Sequence, residues 1–237
     1  MGEVFAQMLR SLLSMFWAVL RPEIKKGAAL RSGKRRKPLD QIVLHESVTS
    51  SRKATERVLK KRKLSVHFMV DRDGTITQHA PVSRATFHAG SGHNSRSVGL
   101  EMVSPYYGSR AKKNDQVIAA RWAHKKKYIL PSEEQAEASF KLIRWLCTMH
   151  DIPLEFACID EDDRQFKWGR YKERAGNPGV LAHHRFHHAD ALFFEHYAAS
   201  RHISSLSPAD AYKCTKEAAA SGKKITTLPA PSEGQES

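Results

Sequence analysis

Thirteen histidines occur in the chain, and four of them fall between residues 183 and 188. The stretch reads Ala182-His183-His184-Arg185-Phe186-His187-His188-Ala189-Asp190 and follows the short apolar run Val180-Leu181-Ala182. A further histidine, His45, follows the apolar run Ile42-Val43-Leu44. A histidine at the end of a buried strand is well placed to project into a cleft. Neutral imidazole nitrogen and carboxylate oxygen are good zinc ligands, and a catalytic zinc keeps three protein ligands and a water. His45, one histidine of the cluster and Asp190 would supply such a set. The competing reading is a basic, solvated loop or a tag-like metal scavenger. Glu101 is the other residue with chemical promise, because it interrupts the apolar run Val98-Gly99-Leu100-Glu101-Met102-Val103. A carboxylate on a buried face is costly unless it is paired, hydrogen-bonded or put to use. A raised pKa there suits general acid–base work. Alternation can equally point Glu101 outward at no cost, and the pattern leaves both faces open.

These residues need strands to position them, and the patterning supplies several. Ile42-Val43-Leu44 fits a buried strand, and Val98 to Val103 fits another. Val66 to Val70 and Thr75-Ile76-Thr77 flank Asp71-Arg72-Asp73-Gly74, which signals a hairpin. Pro131-Ser132 opens a long helix, with Ser132 and Gln135 spaced as a capping box. Ala136, Phe140, Ile143, Leu146 and Cys147 mark that helix's inner face. Residues 105–130 read as a polar surface insertion, and 176–179 (Gly-Asn-Pro-Gly) as a loop.

Outside these elements, Val4, Phe5, Met8, Leu9, Leu12, Leu13 and Phe16 recur at helical spacing within residues 3–20, and Pro22 ends the pattern. A basic stretch follows, so this amphipathic helix suits contact with an anionic membrane surface or docking on the domain itself. Arg10 and its shortness argue against a transmembrane span. The division expected is residues 1–40 as amphipathic helix and basic linker, 41–202 as one domain, and 203–237 as a flexible tail rich in Ser, Ala, Lys and Pro. Hydrophobic residues make up 41% of the 237, enough for a packed core rather than wholesale disorder. The formal charge of +14 favours polyanions: nucleic acid, anionic lipid or cell-wall polymer. Cys147, Cys158 and Cys214 are scattered and odd in number, so they form no disulfide framework and no metal knuckle.

Three ordered segments then resemble the zinc-dependent N-acetylmuramoyl-L-alanine amidases, a family that includes bacterial anhydro-muramyl-peptide amidases, phage endolysins and peptidoglycan recognition proteins. They are Ile42-Val43-Leu44-His45, Ser65 through Gly74, and Phe87-His88-Ala89-Gly90 through Asn94 to Ser97-Val98-Gly99-Leu100-Glu101. The resemblance runs from about residue 41 to 200. It implies an α/β fold, a mixed central sheet with helices on its faces, and zinc in a surface groove. It implies hydrolysis of the amide between N-acetylmuramic acid and the L-alanine of the stem peptide. The first ligand would be His45 and the second His183, with His184 the adjacent alternative. The third would be Asp190, and the catalytic glutamate Glu101. Family members without that glutamate often carry a tyrosine where this chain has Val66. The usual lysine before the third ligand is replaced here by His188, which would stabilise the oxyanion. Ala191-Leu192 stand where Pro-Gly usually follows, and Asp190 lies seven positions after His183, a short spacing. His187 would share a helical face with His183 and is the alternative third ligand.

Phe87, His88 and Asn94 are the residues expected to meet glycan or stem peptide. The expected partner is peptidoglycan or a muropeptide, the expected state a monomer, and the expected location the cell envelope or a membrane surface. A cytoplasmic or phage-encoded lytic protein is the alternative. Two other classes stay open: a peptidoglycan-binding module without catalysis, and a nucleic-acid-binding protein. The second has charge in its favour but no recognised motif and no aromatic interleaving, so no specific nucleic acid is expected.

Overall fold

The structure is a computed structural model that describes residues 21–159, 175–186, 190–204 and 206–222. The amphipathic pattern at 3–20, His187 and His188 lie outside the described residues, as does the chain beyond 222. Six strands form a central sheet in the order β1 (Ile24–Lys26), β5 (Ile76–Gln78), β4 (Phe68–Val70), β7 (Ser97–Met102), β3 (Gln41–Glu46) and β10 (Gly179–Ala182). The pair β4–β5 is antiparallel, as the Asp-Gly turn predicts, with Gly74 at φ +80°. The remaining pairs are parallel, so the sheet is mixed.

Strands β3 and β7 are buried along their whole lengths. That is the pattern of central parallel strands covered on both faces. Alternation sorts their side chains. Ile42 and Leu44 of β3, with Val98, Leu100 and Met102 of β7, enter the main core. Against that face pack α3 (Glu133–Met149), α4 (Leu192–Ile203) and α5 (Pro208–Ser221), through Phe140, Ile143, Leu146, Phe193, Tyr197 and Ala219. The other face carries Gln41, Val43 and His45, in register with Ser97, Gly99 and Glu101. A smaller apolar cluster on that side includes Met69 and Leu59 of α1 (Arg52–Lys61), and the short helix α2 (Ser91–Asn94) precedes β7.

Several expectations are corrected here. Compact structure starts by Ile24 rather than Gln41. Strand β1 adds to the sheet edge, and β2 (Gly33–Lys34) pairs with β6 (Arg84–Ala85). The basic "linker" is a strap whose Arg35 donates to the carbonyls of Val82, Arg84, Ser95 and Ser97. Residues 105–130 are no simple surface insertion. They hold the antiparallel pair β8 (Val117–Ala119) and β9 (Lys127–Ile129), and Tyr106, Ala120, Tyr128 and Leu130 enter the core. The tail is, over Pro208–Ser221, a helix capped by the Ser207 hydroxyl and by Gly222. Its buried stripe of Ala211, Tyr212, Thr215, Ala218 and Ala219 is mostly small, so composition disguises a docking face as a low-complexity tail. Half of the capping box forms, since Ser132 Oγ accepts from the Gln135 N–H. The Gln135 side chain instead donates to the carbonyls of Val70 and Val103, tying α3 to the sheet.

Cys147 and Cys158 are buried, Cys214 is half-buried, and no disulfide joins them. Among the described residues no helix is long and apolar enough to cross a membrane.

The strap yields a prediction. Arg35 is a charged donor to several backbone carbonyls, and such bonds are worth more than neutral ones. Arg35→Ala is expected to cost roughly 1.5–3 kcal/mol in urea unfolding. Deleting residues 1–37, which also removes β1 and the buried Leu30, is expected to cost more. A wild-type unfolding midpoint for the deletion would show that the strap is dispensable.

Candidate metal centre

Strands β7, β3 and β10 are neighbours and run in one direction, so their carboxyl ends share one edge of the sheet. Crevices at such edges are where open α/β sheets bind ligands. Register does the rest. His45 lies opposite Glu101, and Leu44 lies opposite Ala182, which places His183 beside His45. The two imidazole centroids are 4.3 Å apart. Asp190 stands beside both rings, with Oδ2 3.3 Å from His183 Nδ1 and 4.0 Å from His45 Nδ1. One donor atom from each of His45, His183 and Asp190 lies within 4.8 Å of the others. His45 is 5% exposed and Asp190 6%, and Asp190 Oδ1 is buried with no hydrogen-bond partner among the described residues. Two imidazoles and an under-satisfied carboxylate in this arrangement suit a divalent cation with N and O ligands. His184 is not in this cluster, although its N–H donates to the Asp190 carbonyl and so helps place Asp190.

Two buried devices that sequence reasoning passed over hold the residues around His183 and Asp190. Glu46, next to His45 but on the opposite face, accepts from Tyr128 Oη at 2.8 Å and from the Ala191 N–H at 2.8 Å. Ala191 adopts a left-handed φ of +64°, which turns the chain from Asp190 into α4. The Glu46 N–H also points at Asp190 Oδ2, at 3.4 Å. The second device is the fully buried pair Arg185–Glu195. Glu195 Oε2 accepts from Arg185 Nε and Nη2 and from the Ala182 N–H. It joins the end of β10 and the 3₁₀ turn His183–Phe186 to α4. Glu46 carries the same signal as Glu101, a carboxylate at an apolar strand's end; Arg185 and Glu195 carry none beyond their spacing.

The structure distributes the remaining expected residues unevenly. Glu101 is 7% exposed and lies on the face of His45, which resolves the open question of its direction. His88 has both ring nitrogens engaged within the protein, Nδ1 with His45 Nε2 at 2.9 Å and Nε2 with Ser97 Oγ at 3.2 Å. Asn94 Oδ1 accepts from the N–H groups of His88 and Ala89 and so holds their loop. Phe87 is partly exposed, and the Arg31 guanidinium stands 4.4 Å above its ring. His67, immediately before β4, sits at the centre of a hydrogen-bonded knot. Its Nδ1 accepts from the Gly99 N–H, which leaves Nε2–H to donate to the Arg84 carbonyl.

Burial sets the protonation states. It pushes Glu101 up to about 8, helped by the nearby carboxylates of Asp190 and Glu46. It pushes Glu46 up to about 8 as well, against the pull of the Tyr128 and Ala191 hydrogen bonds. It drives His67 down to about 3 and holds His88 well below the usual histidine value.

A mixed sheet with two imidazoles and a carboxylate around one gap at its parallel edge defines an α/β protein suited to holding a cation. Comparison with known proteins gives the family. Residues 35–191, well over half of the chain, match the family model described as N-acetylmuramoyl-L-alanine amidase, and the chain belongs to that family. Among solved structures, the chain is similar to the N-acetylmuramoyl-L-alanine amidase LysC from Clostridium intestinale, at 18% identity over 69% of this chain and 83% of that one, with a TM-score of 0.44. It is similar to the Staphylococcus aureus hydrolase AmiA at 16% identity, over 77% and 69% of the two chains, with a TM-score of 0.44. It is also similar to Drosophila peptidoglycan recognition protein SA at 14% identity, over 68% and 80%, with a TM-score of 0.42. No curated protein matches the chain.

The raised carboxylates make a pH prediction for the metal-free protein. Their folded values lie above their unfolded ones, so the stability they confer is full below about 4.5 and is lost as pH rises to about 8. His67 works oppositely below its unfolded value of 6.5. The same holds for His79, His88, His93, His150 and His202, which burial also lowers. The pH dependence from these histidines fades as pH rises above 6.5, while that of the two carboxylates continues to about 8, so the melting temperature of the metal-free protein should fall as pH approaches 8. Glu101→Gln should make that fall shallower, as read by thermal melts in chelator. An unchanged slope would mean that Glu101 is ionised in the folded protein across this range.

Proposed function

We propose that this peptidoglycan amidase works with a zinc ion held by His45, His183 and Asp190, and with Glu101 as its general base. The observation that carries the reading is the convergence of those three donors beside a buried carboxylate that shares a strand register with His45. A zinc ion held there would supply Lewis acidity, favouring attack of water on the scissile carbonyl near neutral pH. Glu101 takes the proton of the attacking water and delivers it to the leaving amine. Burial supports that double duty, since a carboxyl with raised proton affinity can hold a proton near neutral pH and give it up again. His188, two residues before Asp190 in the sequence, is the proposed hydrogen-bond donor to the oxyanion. Phe87, under Arg31, is the proposed groove contact for glycan or stem peptide. Asn94 contributes there by fixing the Phe87–Gly90 loop. All the ligands come from one chain, so a monomer is sufficient. The charge of +14 favours an anionic surface, wall polymer or lipid, as the place of work.

The test is mass spectrometry of purified peptidoglycan after incubation with the protein, with and without a chelator. Release of free stem peptide that stops on chelation is expected. Peptidoglycan that is bound but left intact would favour the binding-module alternative. His45→Ala is expected to lose both zinc, by elemental analysis, and activity; full activity in a zinc-free protein would sink the metal mechanism. Glu101→Gln keeps shape and hydrogen bonding but loses the basic oxygen. Its single-turnover rate is expected to drop roughly 10²–10⁴-fold at equal zinc occupancy. A variant that retains about a tenth or more of the wild-type rate would remove Glu101 from the role of base.

A further inference from the structure

We propose that His88 is a positioning residue that fixes the tautomer and ring orientation of His45 toward the metal, and that Gly99 is the cradle in which His88 lies. The proposal rests on the metal reading above. It follows from a chain of hydrogen bonds that ends on a backbone carbonyl. The His93 carbonyl can only accept, so Ser97 Oγ–H donates to it, at 2.7 Å. Ser97 Oγ must then accept from His88, which places a proton on His88 Nε2, at 3.2 Å. A neutral imidazole carries one N–H, so His88 Nδ1 is an acceptor. His45 Nε2 therefore carries the proton between them, across 2.9 Å. The lone pair of His45 is left on Nδ1, the nitrogen that faces Asp190 Oδ2. A main-chain carbonyl some distance away thus selects the ligand atom. Metal-bound histidines are commonly oriented through their second nitrogen in this way.

Gly99 makes the geometry possible. The rings of His45 and His88 meet edge-on, at 86° with centroids 5.1 Å apart. To reach that position the His88 ring lies directly on β7. A Cβ at Gly99 would stand 2.9 Å from His88 Cγ and Cδ2 and 3.0 Å from Nδ1. The strand cannot retreat to make room, because Gly99 N–H donates to His67 Nδ1 and Gly99 O accepts from the His67 N–H. Nor can the loop, since Asn94 Oδ1 holds the N–H groups of His88 and Ala89. Glycine is needed here for space. The expectation that His88 contacts substrate gives way to this role, because both its polar atoms are committed inward.

The experiment measures zinc affinity directly, by equilibrium competition with a chromophoric chelator, on proteins whose fold is checked by circular dichroism. His88→Ala is expected to weaken zinc binding roughly 10–100-fold. His88→Asn, whose Oδ1 can accept from His45 Nε2–H where Nδ1 did, is expected to recover most of that loss. Gly99→Ala is expected to weaken binding with His88 still present, and the double variant His88→Ala/Gly99→Ala to bind no more weakly than His88→Ala alone. That non-additivity arises because the added methyl then has no ring to displace. Wild-type affinity in His88→Ala, wild-type affinity in Gly99→Ala, or additive losses in the double variant would each overturn the proposal while leaving the metal reading standing. If His88→Ala does not fold, His88→Asn and Gly99→Ala decide: the proposal stands only if the first binds nearly as wild type and the second does not. A wild-type chain that binds no zinc overturns the metal reading and this proposal together.

Discussion

The parallel register of β3 with β7 on one side and β10 on the other is the constraint from which the site follows. A slip of one residue between β3 and β7 would send either His45 or Glu101 into the apolar core, since alternate side chains take opposite faces. The core guards against that slip. Ile42 and Leu44 pack among Val98, Leu100 and Met102, so hydrophobic burial on one face holds the polar residues in line on the other. The chemistry thus inherits its precision from packing that takes no part in it.

Buried charge is handled in two contrasting ways around this edge. Glu195 is paired through its Oε2 with the Arg185 guanidinium, and the pair locks the turn bearing His183 onto α4. Breaking such a pair leaves an uncompensated buried charge, which explains its value as a fixed anchor. Glu46 and Glu101 have no such cation beside them in the interactions that set their protonation, and Asp190 Oδ1 lies buried with no hydrogen-bond partner among the described residues. The first two meet the cost by holding protons, and Glu46 adds hydrogen bonds from Tyr128 and Ala191. One side of the edge is therefore electrostatically closed, while the other is left poised to receive positive charge.

Much of this was legible in the residues because strand ends announce themselves. An apolar run followed by His45, an apolar run broken by Glu101, and an apolar run before His183 each mark a parallel strand with its reactive residue at or near one end. The Asp71–Gly74 turn and the Ser132 cap were readable for the same local reasons. What was hidden depends on long-range pairing. Residues 24–35 look like a basic linker because β1 is an edge strand of three residues, and Arg35 shows its anchoring only once the carbonyls of Val82 to Ser97 surround it. The helix at 208–221 was masked by alanine, which packs well at a close helix contact yet scores as low complexity. The inward commitment of His88 could not be seen either, since it depends on a glycine eleven positions later in the chain.

The thiols are kept apart from the candidate metal centre, and this has a consequence for chemical robustness. The donor cluster is built from two imidazoles and a carboxylate, with no sulfur. Cys158 is buried, and burial pushes Cys147 up to about 12, so little of it is thiolate at neutral pH. Thiolate is the species that peroxides and disulfides attack. Mild oxidants therefore find no ligand to consume at this centre, and its ability to hold a cation is decoupled from the redox poise of the surroundings. Acid, which protonates imidazole, is the environmental change that competes with the metal directly.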